Sequence, residues 1–113
     1  MSTATIGRRV EHQVRDDLSQ AGWVIAARAA GSKGAADLVA LKPGRVVLCQ
    51  VKRSNPLLTP AERHALIHLA DVLGLGLALP IVASKPARNP ITYRLLTGPG
   101  PKDWQPWTPQ GDQ

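Results

Sequence analysis

The sequence predicts a mixed α/β domain in which helices flank a central, mixed β-sheet of about five strands. Three observations predict this fold: an apolar stripe at helical spacing near the N-terminus, short runs rich in Val and Leu, and a strong helix-start signal between two groups of such runs. The 113 residues suffice for one domain with a substantial core, and a hydrophobic content of 43% excludes general disorder.

The first predicted element is an amphipathic helix over about residues 6–21, which ends near Gly22. A strand is predicted over residues 23–30, and a Gly-containing loop over residues 31–34. The apolar stripe of the helix consists of Ile6, Val10, Val14, Leu18 and Ala21.

Two further strands, residues 37–41 and 45–52, are predicted to form a hairpin around the Pro-Gly pair at 43–44. If the turn is centred on this pair, residue i faces residue 87 − i, which places Asp37 opposite Gln50. The strands carry apolar residues on both faces, as central strands do.

Lys52 shares a strand face with Gln50, because side chains alternate along a strand. An acid, a carboxamide and a lysine would then converge, which indicates a metal and phosphate site. Two alternatives stay open. A longer loop would shift the register and move Asp37 to the opposite face, since Pro-Gly favours a type II turn and two-residue hairpins prefer the primed types. Alternatively, the three side chains are ordinary polar residues at strand ends.

The second predicted helix begins with three start signals in one tetrapeptide. Thr59 is a suitable N-cap, Pro60 suits the first helical position, and Glu62 completes a capping box. The helix is predicted to run to about Leu73 and to stop at Gly74.

Two closing strands are predicted at residues 77–83 and 91–96, and the helix before them can return the chain for a parallel crossover. Beyond this domain of residues 1–97, frequent Pro and Gly predict an irregular tail over residues 98–113. The tail contains two tryptophans that either cover an apolar patch, which we favour because charges are few, or stack on unpaired bases. These are Trp104 and Trp107.

The charge balance favours an anionic partner. The net charge is +6 and the pI is about 10.3, which fits the electrostatic footprint of nucleic-acid binding. Membrane binding is disfavoured because no helix combines a basic face with a bulky apolar face. The N-terminal residues lack an apolar signal core and no apolar run is long enough to span a bilayer, so we expect a soluble, cytoplasmic protein. Cys49 lies in an apolar run and is predicted to be a buried thiol.

Glu11 lies at the margin of the apolar stripe of the first helix, so it is predicted to face the sheet edge. A carboxylate there would add a second acid to the site that begins at Asp37. The alternative is a surface Glu that pairs with Arg8 and Arg15 at helical spacing.

Four short motifs in this order resemble the archaeal Holliday junction resolvases and their viral relatives, which belong to the PD-(D/E)XK nuclease superfamily. The resemblance covers roughly residues 7–96 and implies a restriction-endonuclease-like core. For a viral member of the family, it implies that the protein acts in the cytoplasm of the host cell. The motifs are Gly7-x-x-x-Glu11, Arg28-x-x-Gly31-Ser32, Asp37-Leu38-Val39-Ala40 and Gln50-x-Lys52.

The resemblance implies a Mg²⁺ site, in which Mn²⁺ can substitute, with Glu11, Asp37 and Gln50 around the metal. It implies that Lys52 helps to position or activate the attacking water, and that Ser32 contacts the scissile phosphate region. It also implies a twofold dimer on branched DNA, with the second helix and neighbouring strand surface at the interface. The predicted DNA contacts are the basic residues nearest the motifs, namely Arg8, Arg9, Arg28, Lys33 and Arg53.

Gln50 departs from the family pattern, which usually has Glu at this position. The amide oxygen can still coordinate a metal, but the site loses one negative charge, so we expect weaker metal affinity and not loss of activity. The main function hypothesis is a metal-dependent endonuclease that resolves four-way DNA junctions by paired symmetric cleavage. The alternatives are a nuclease of the same superfamily acting on flaps, mismatches or duplex, and a basic protein that binds DNA without cleaving it. An RNA-binding module is disfavoured, because the predicted strands lack surface aromatics.

Overall fold

The computed structural model describes residues 3–28, 35–74 and 76–111, with side chains described from residue 9 and, in the first strand, up to residue 26. Two helices and six strands follow one another in these ranges. In chain order they are α1 (Thr3–Gln20), β1 (Val24–Arg28), β2 (Leu38–Lys42), β3 (Arg45–Lys52), α2 (Pro60–Leu73), β4 (Ala78–Ser84), β5 (Thr92–Leu96) and β6 (Trp104–Trp107). Neither helix is long and apolar enough to cross a membrane.

Helix α1 ends where the glycine signal predicts. Gly22 has a φ of +94°, a left-handed conformation that glycine adopts at low cost. The Trp23 N–H donates to the Leu18 carbonyl at 2.9 Å, and the Gly22 N–H donates to the Ser19 carbonyl at 3.1 Å. These two bonds form a Schellman motif, which stops the helix and directs the chain into β1.

The six strands form one sheet in the order β1-β2-β3-β4-β5-β6. All neighbouring pairs are antiparallel except β3 and β4, which are parallel and joined through α2. This confirms the predicted mixed sheet and the crossover. The observed sheet has one strand more than the five that were expected.

The β2–β3 hairpin has the predicted register. Its pairs run from Leu38 with Cys49 to Lys42 with Arg45. In each pair the two residue numbers add up to 87, as predicted for a turn centred on Pro43-Gly44. Gly44 has a φ of +72° while Pro43 does not have a positive φ, so a two-residue Pro-Gly turn is accommodated without a longer loop. The register slip considered as an alternative does not occur.

The sheet has a hydrophobic core on each face. On one face α1 packs through Val14 and Leu18, and on the other α2 packs through Leu66 and Ala70. Alternating residues of β3 point to these two cores. The α1 side receives Val47 and Cys49, and the α2 side receives Leu48. By the same alternation Gln50 and Lys52 lie on the α2 side.

Helix α2 begins with the predicted capping box. The Glu62 N–H donates to Thr59 Oγ1 at 3.1 Å, and the Thr59 N–H donates to Glu62 Oε1 at 2.9 Å. Pro60 occupies the first helical position, and the helix ends at Leu73 before Gly74. Both boundaries match the prediction, because the signals that set them are local in sequence.

The prediction of an irregular tail was wrong for residues 104–107, which form β6 at the edge of the sheet. Pro106 is compatible with this position because an edge strand has one side without ladder partners. Trp107 covers the α1-side core, and the Trp23 Nε1–H donates to the Pro109 carbonyl at 3.1 Å. The Arg94 guanidinium lies over the Trp104 ring, with its Cζ 3.9 Å from the centroid of that ring. The favoured prediction, that the tryptophans cover the domain, therefore describes Trp107 well.

Candidate metal and phosphate site

Asp37 is fixed directly before β2 by two hydrogen bonds to β3. Its N–H donates to the Cys49 carbonyl at 2.8 Å, and its carboxylate Oδ2 accepts from the Val51 N–H at 2.8 Å. These bonds reach β3 on either side of Gln50. The hairpin therefore brings Asp37 beside Gln50, as its register predicted, and holds the carboxylate with only 9% of the residue exposed.

The Asp37 carboxyl lies in a mixed electrostatic environment. Burial is the largest effect and raises its pKa. The hydrogen bond from the Val51 N–H and the positive charge of Lys52 act in the opposite direction, whereas the negative charge of Glu62 adds to the increase. Asp37 thus responds to the charges of both Lys52 and Glu62, which places these three residues in one electrostatic neighbourhood.

Gln50 carries a buried acceptor without a hydrogen-bond partner among the described residues. This atom is its side-chain Oε1. Buried polar atoms in folded proteins nearly always have a partner, so an orphaned oxygen requires an explanation. A carboxamide oxygen next to a carboxylate is the type of ligand that Mg²⁺ accepts, and this ion needs only one or two carboxylates from the protein. The donor atoms of Asp37 and Gln50 therefore fit a divalent cation.

Lys52 donates to Glu62 Oε2 at 2.6 Å, forming an ion pair between the end of β3 and the first turn of α2. The hydrogen bond from Lys52 is the largest influence on Glu62 and, with the bond from the Thr59 N–H, lowers the pKa of this carboxyl. The sequence indicated Glu62 only as part of the cap. Its contact with Lys52 spans the β3–α2 connection, for which the sequence contains no pairing signal.

Glu11 is half-buried on α1, the helix that packs on the face opposite to Gln50 and Lys52. No hydrogen bond or ion pair joins it to Asp37, Gln50 or Lys52 within the described ranges. Within those ranges no three His, Cys, Asp or Glu side chains form a group suited to a metal. A role for Glu11 at the metal therefore stays a prediction.

The other predicted site residues divide into three groups. Arg9 on α1 and Arg53 just beyond β3 are exposed, as a contact to DNA requires. Arg8 and Arg28 belong to α1 and β1, but their side chains lie outside the described part of the chain, as do Ser32 and Lys33 entirely. The DNA contacts and the role of Ser32 therefore stay predictions.

Cys49 is a buried thiol, as predicted, with 1% of the residue exposed. Burial is the main cause that raises the pKa of this thiol, and the negative charge of Asp37 acts in the same direction. A neutral buried thiol is a poor nucleophile, so Cys49 serves the core of the domain.

Comparison with known proteins identifies the family. Residues 2–97 match the sequence model of the archaeal Holliday junction resolvases. Among solved structures the chain is similar to the Holliday junction resolvase Hjc of Archaeoglobus fulgidus, an archaeal hyperthermophile. The two share 28% identity and a TM-score of 0.62, over 77% of this chain and 70% of that chain. No curated protein matches the chain.

The family match extends over most of the chain and agrees with the motifs that suggested the resemblance. The solved relative shares the α/β architecture, so the fold prediction is confirmed as well. The chain belongs to the archaeal Holliday junction resolvase family.

Proposed function

We propose that this protein is a metal-dependent endonuclease that resolves four-way DNA junctions by paired, symmetric hydrolysis of phosphodiester bonds. The observation that carries the proposal is the joint placement of Asp37, Gln50 and Lys52 where the β2–β3 hairpin ends, in a chain of a resolvase family. Mg²⁺ is the proposed cofactor, and Mn²⁺ is expected to replace it.

A bound divalent cation supplies Lewis-acid activation of water and neutralises charge on the phosphate. The protein supplies the geometry. Asp37 keeps its carboxylate in place through the Val51 N–H, and Gln50 offers an oxygen that has no other described partner. The positive charge of Lys52 stabilises the negative charge that grows on the phosphoryl oxygens in the transition state. Ser32 is proposed to contact the phosphate region and Glu11 to complete the metal ligands.

The DNA is proposed to be held mainly through its phosphates, since a branched shape and not a base sequence defines the substrate. The net charge of +6 supports this mode of binding. The proposed contacts are Arg8, Arg9, Arg28, Lys33 and Arg53.

Symmetric cleavage of two strands needs two active sites, so we propose a twofold homodimer. The surface of α2 is the proposed interface. Val72 and Leu73 at its C-terminal end support this, because 68% and 44% of these apolar residues are exposed.

The test is cleavage of an end-labelled four-way junction and of the matching linear duplex, each with Mg²⁺ or with EDTA. Paired symmetric nicks in the junction alone, abolished by EDTA, are expected. Equal cleavage of both substrates would show a general nuclease, and tight junction binding without cleavage would show a DNA-binding protein that has lost catalysis.

Replacing Gln50 by Glu is expected to lower the Mg²⁺ concentration at which cleavage is half-maximal. The carboxylate restores one negative charge beside Asp37, and cation affinity rises with the charge of the ligands. Metal titrations of the wild type and Gln50→Glu under single-turnover conditions measure the shift. An unchanged or higher metal requirement in the variant would contradict the role given to Gln50.

A further inference from the structure

Glu62 uses its two carboxylate oxygens for two different elements. Oε1 accepts from the backbone N–H of Thr59 at 2.9 Å, and Oε2 accepts from Lys52 Nζ at 2.6 Å. The first bond belongs to the capping box of α2 and the second reaches the end of β3. The cap of the helix and the site lysine are therefore joined through one side chain.

The pair is suited to orientation more than to stability. The side chains of Lys52 and Glu62 are 25% and 32% exposed, and ion pairs at such positions contribute little to folding. A lysine ammonium on a flexible four-carbon stem, however, needs a partner to keep it in one place. Glu62 is a rigid partner because its other oxygen is bonded to the backbone at a helix start.

The position of the pair connects it with the site. Lys52 lies two residues beyond Gln50 on the same strand face, and Asp37 responds to the charges of both Lys52 and Glu62. Asp37 is a second carboxylate whose charge interacts with that of Lys52. A lysine released from Glu62 is thus free to turn towards solvent or towards the Asp37 carboxylate.

We propose that Glu62 is a positioning residue that holds the Lys52 ammonium beside Asp37 and Gln50, anchored by the capping box of α2. The proposal rests on the proposed function for its catalytic consequence. Glu62 does not contact the substrate and acts through Lys52.

The decisive variant is Glu62→Gln. Gln completes a capping box as Glu does, so the start of α2 is retained while the negative partner of Lys52 is lost. The expected result is a single-turnover cleavage rate about tenfold below that of the wild type at saturating Mg²⁺. A loss of this size is typical when a residue that orients an active-site group is substituted. Junction binding in EDTA is expected to be unchanged. The matched control is Asp16→Asn, the same acid-to-amide change at an exposed position of α1, which is expected to cut at the wild-type rate.

A mutant cycle separates positioning from a general structural role. In a Lys52→Met background Glu62 has no ammonium to hold, so Glu62→Gln is expected to change the remaining cleavage rate less than about twofold. Such non-additive effects in a double-mutant cycle show that two residues act together. An equal loss in both backgrounds would overturn the proposal. Thermal unfolding of each variant verifies that the fold is intact.

A measurement without DNA or metal tests the pair itself. In ¹⁵N-labelled wild type, the Lys52 ammonium is expected to give a resolved NMR signal because the ion pair slows its proton exchange, and this signal is expected to vanish in Glu62→Gln but not in Asp16→Asn. A Lys52 signal that persists in Glu62→Gln would overturn the proposal. If the wild type does not cut the junction, the proposed function fails, whereas the NMR result still decides whether Glu62 holds Lys52.

Discussion

Replacing Asp37 by Asn is expected to slow junction cleavage by more than about 100-fold. Substituting residues that only hydrogen-bond to metal ligands already lowers metal affinity or activity by about 10-fold to 100-fold, and Asp37 is proposed to bind the metal itself. The Asn oxygen can still accept from the Val51 N–H, which bonds Asp37 Oδ2 at 2.8 Å, so the hairpin is expected to stay intact. What the variant loses is the negative charge that a divalent cation requires. The effect should therefore lie in catalysis and metal use, and not in folding.

The measurement is the single-turnover rate on a labelled four-way junction, together with junction affinity in EDTA and the midpoint of thermal unfolding. Affinity and midpoint are expected to stay near those of the wild type. Asp16→Asn serves as the control, because Asp16 is exposed on α1. An Asp37→Asn protein that cleaves within about tenfold of the wild-type rate would remove Asp37 from the proposed metal site.

Replacing Trp107 by Ala is expected to lower the free energy of unfolding by about 3 kcal/mol, at the low end for Trp→Ala because the residue is only half-buried. The centroid of its ring lies 5.7 Å from that of Tyr93 and 6.0 Å from that of Trp23. The Trp107 side chain also covers the α1-side core. Aromatic contacts of this type add to the area that is buried. Urea unfolding of the wild type and the variant measures the difference.

Two other substitutions give the control. Trp104→Ala is expected to cost only about 1 kcal/mol, since Trp104 contributes mainly a cation–π contact with Arg94. Trp107→Phe is expected to cost less than Trp107→Ala, because the Trp107 Nε1–H has no hydrogen-bond partner in the described ranges and an aromatic ring is retained. Equal losses for Trp104→Ala and Trp107→Ala would mean that β6 does not stabilise the core through Trp107.

The elements that local signals specify were predictable. The start of α2 at Pro60 and its end at Leu73 follow from a capping box and a glycine, and both match the structure. The register of the hairpin follows from a two-residue turn and from alternation, so the neighbourhood of Asp37, Gln50 and Lys52 was also predictable. The family could be predicted because its motifs are short and keep their order along the chain.

The strand β6 was missed because Pro and Gly near residues 98–109 argue against regular structure, whereas pairing with β5 and burial of Trp107 outweigh that local preference. The pairing of Lys52 with Glu62 was missed because it depends on where α2 begins relative to the end of β3. That α1 and α2 pack on opposite faces of the sheet could not be predicted either, and the role of Glu11 at the metal stays a prediction.

The sequence by itself determined the α/β class, the helix boundaries of α2, the hairpin register and the family, since each depends on residues that are close along the chain or on a motif of fixed order. Only the tertiary structure decided that the C-terminal residues add a strand, that Gln50 Oε1 is buried without a described partner, and that Glu62 binds Lys52. These features depend on how separate elements pack against one another, and not on a signal within any one of them. Their stability comes from burial and from the geometry of packed elements, which no local pattern contains.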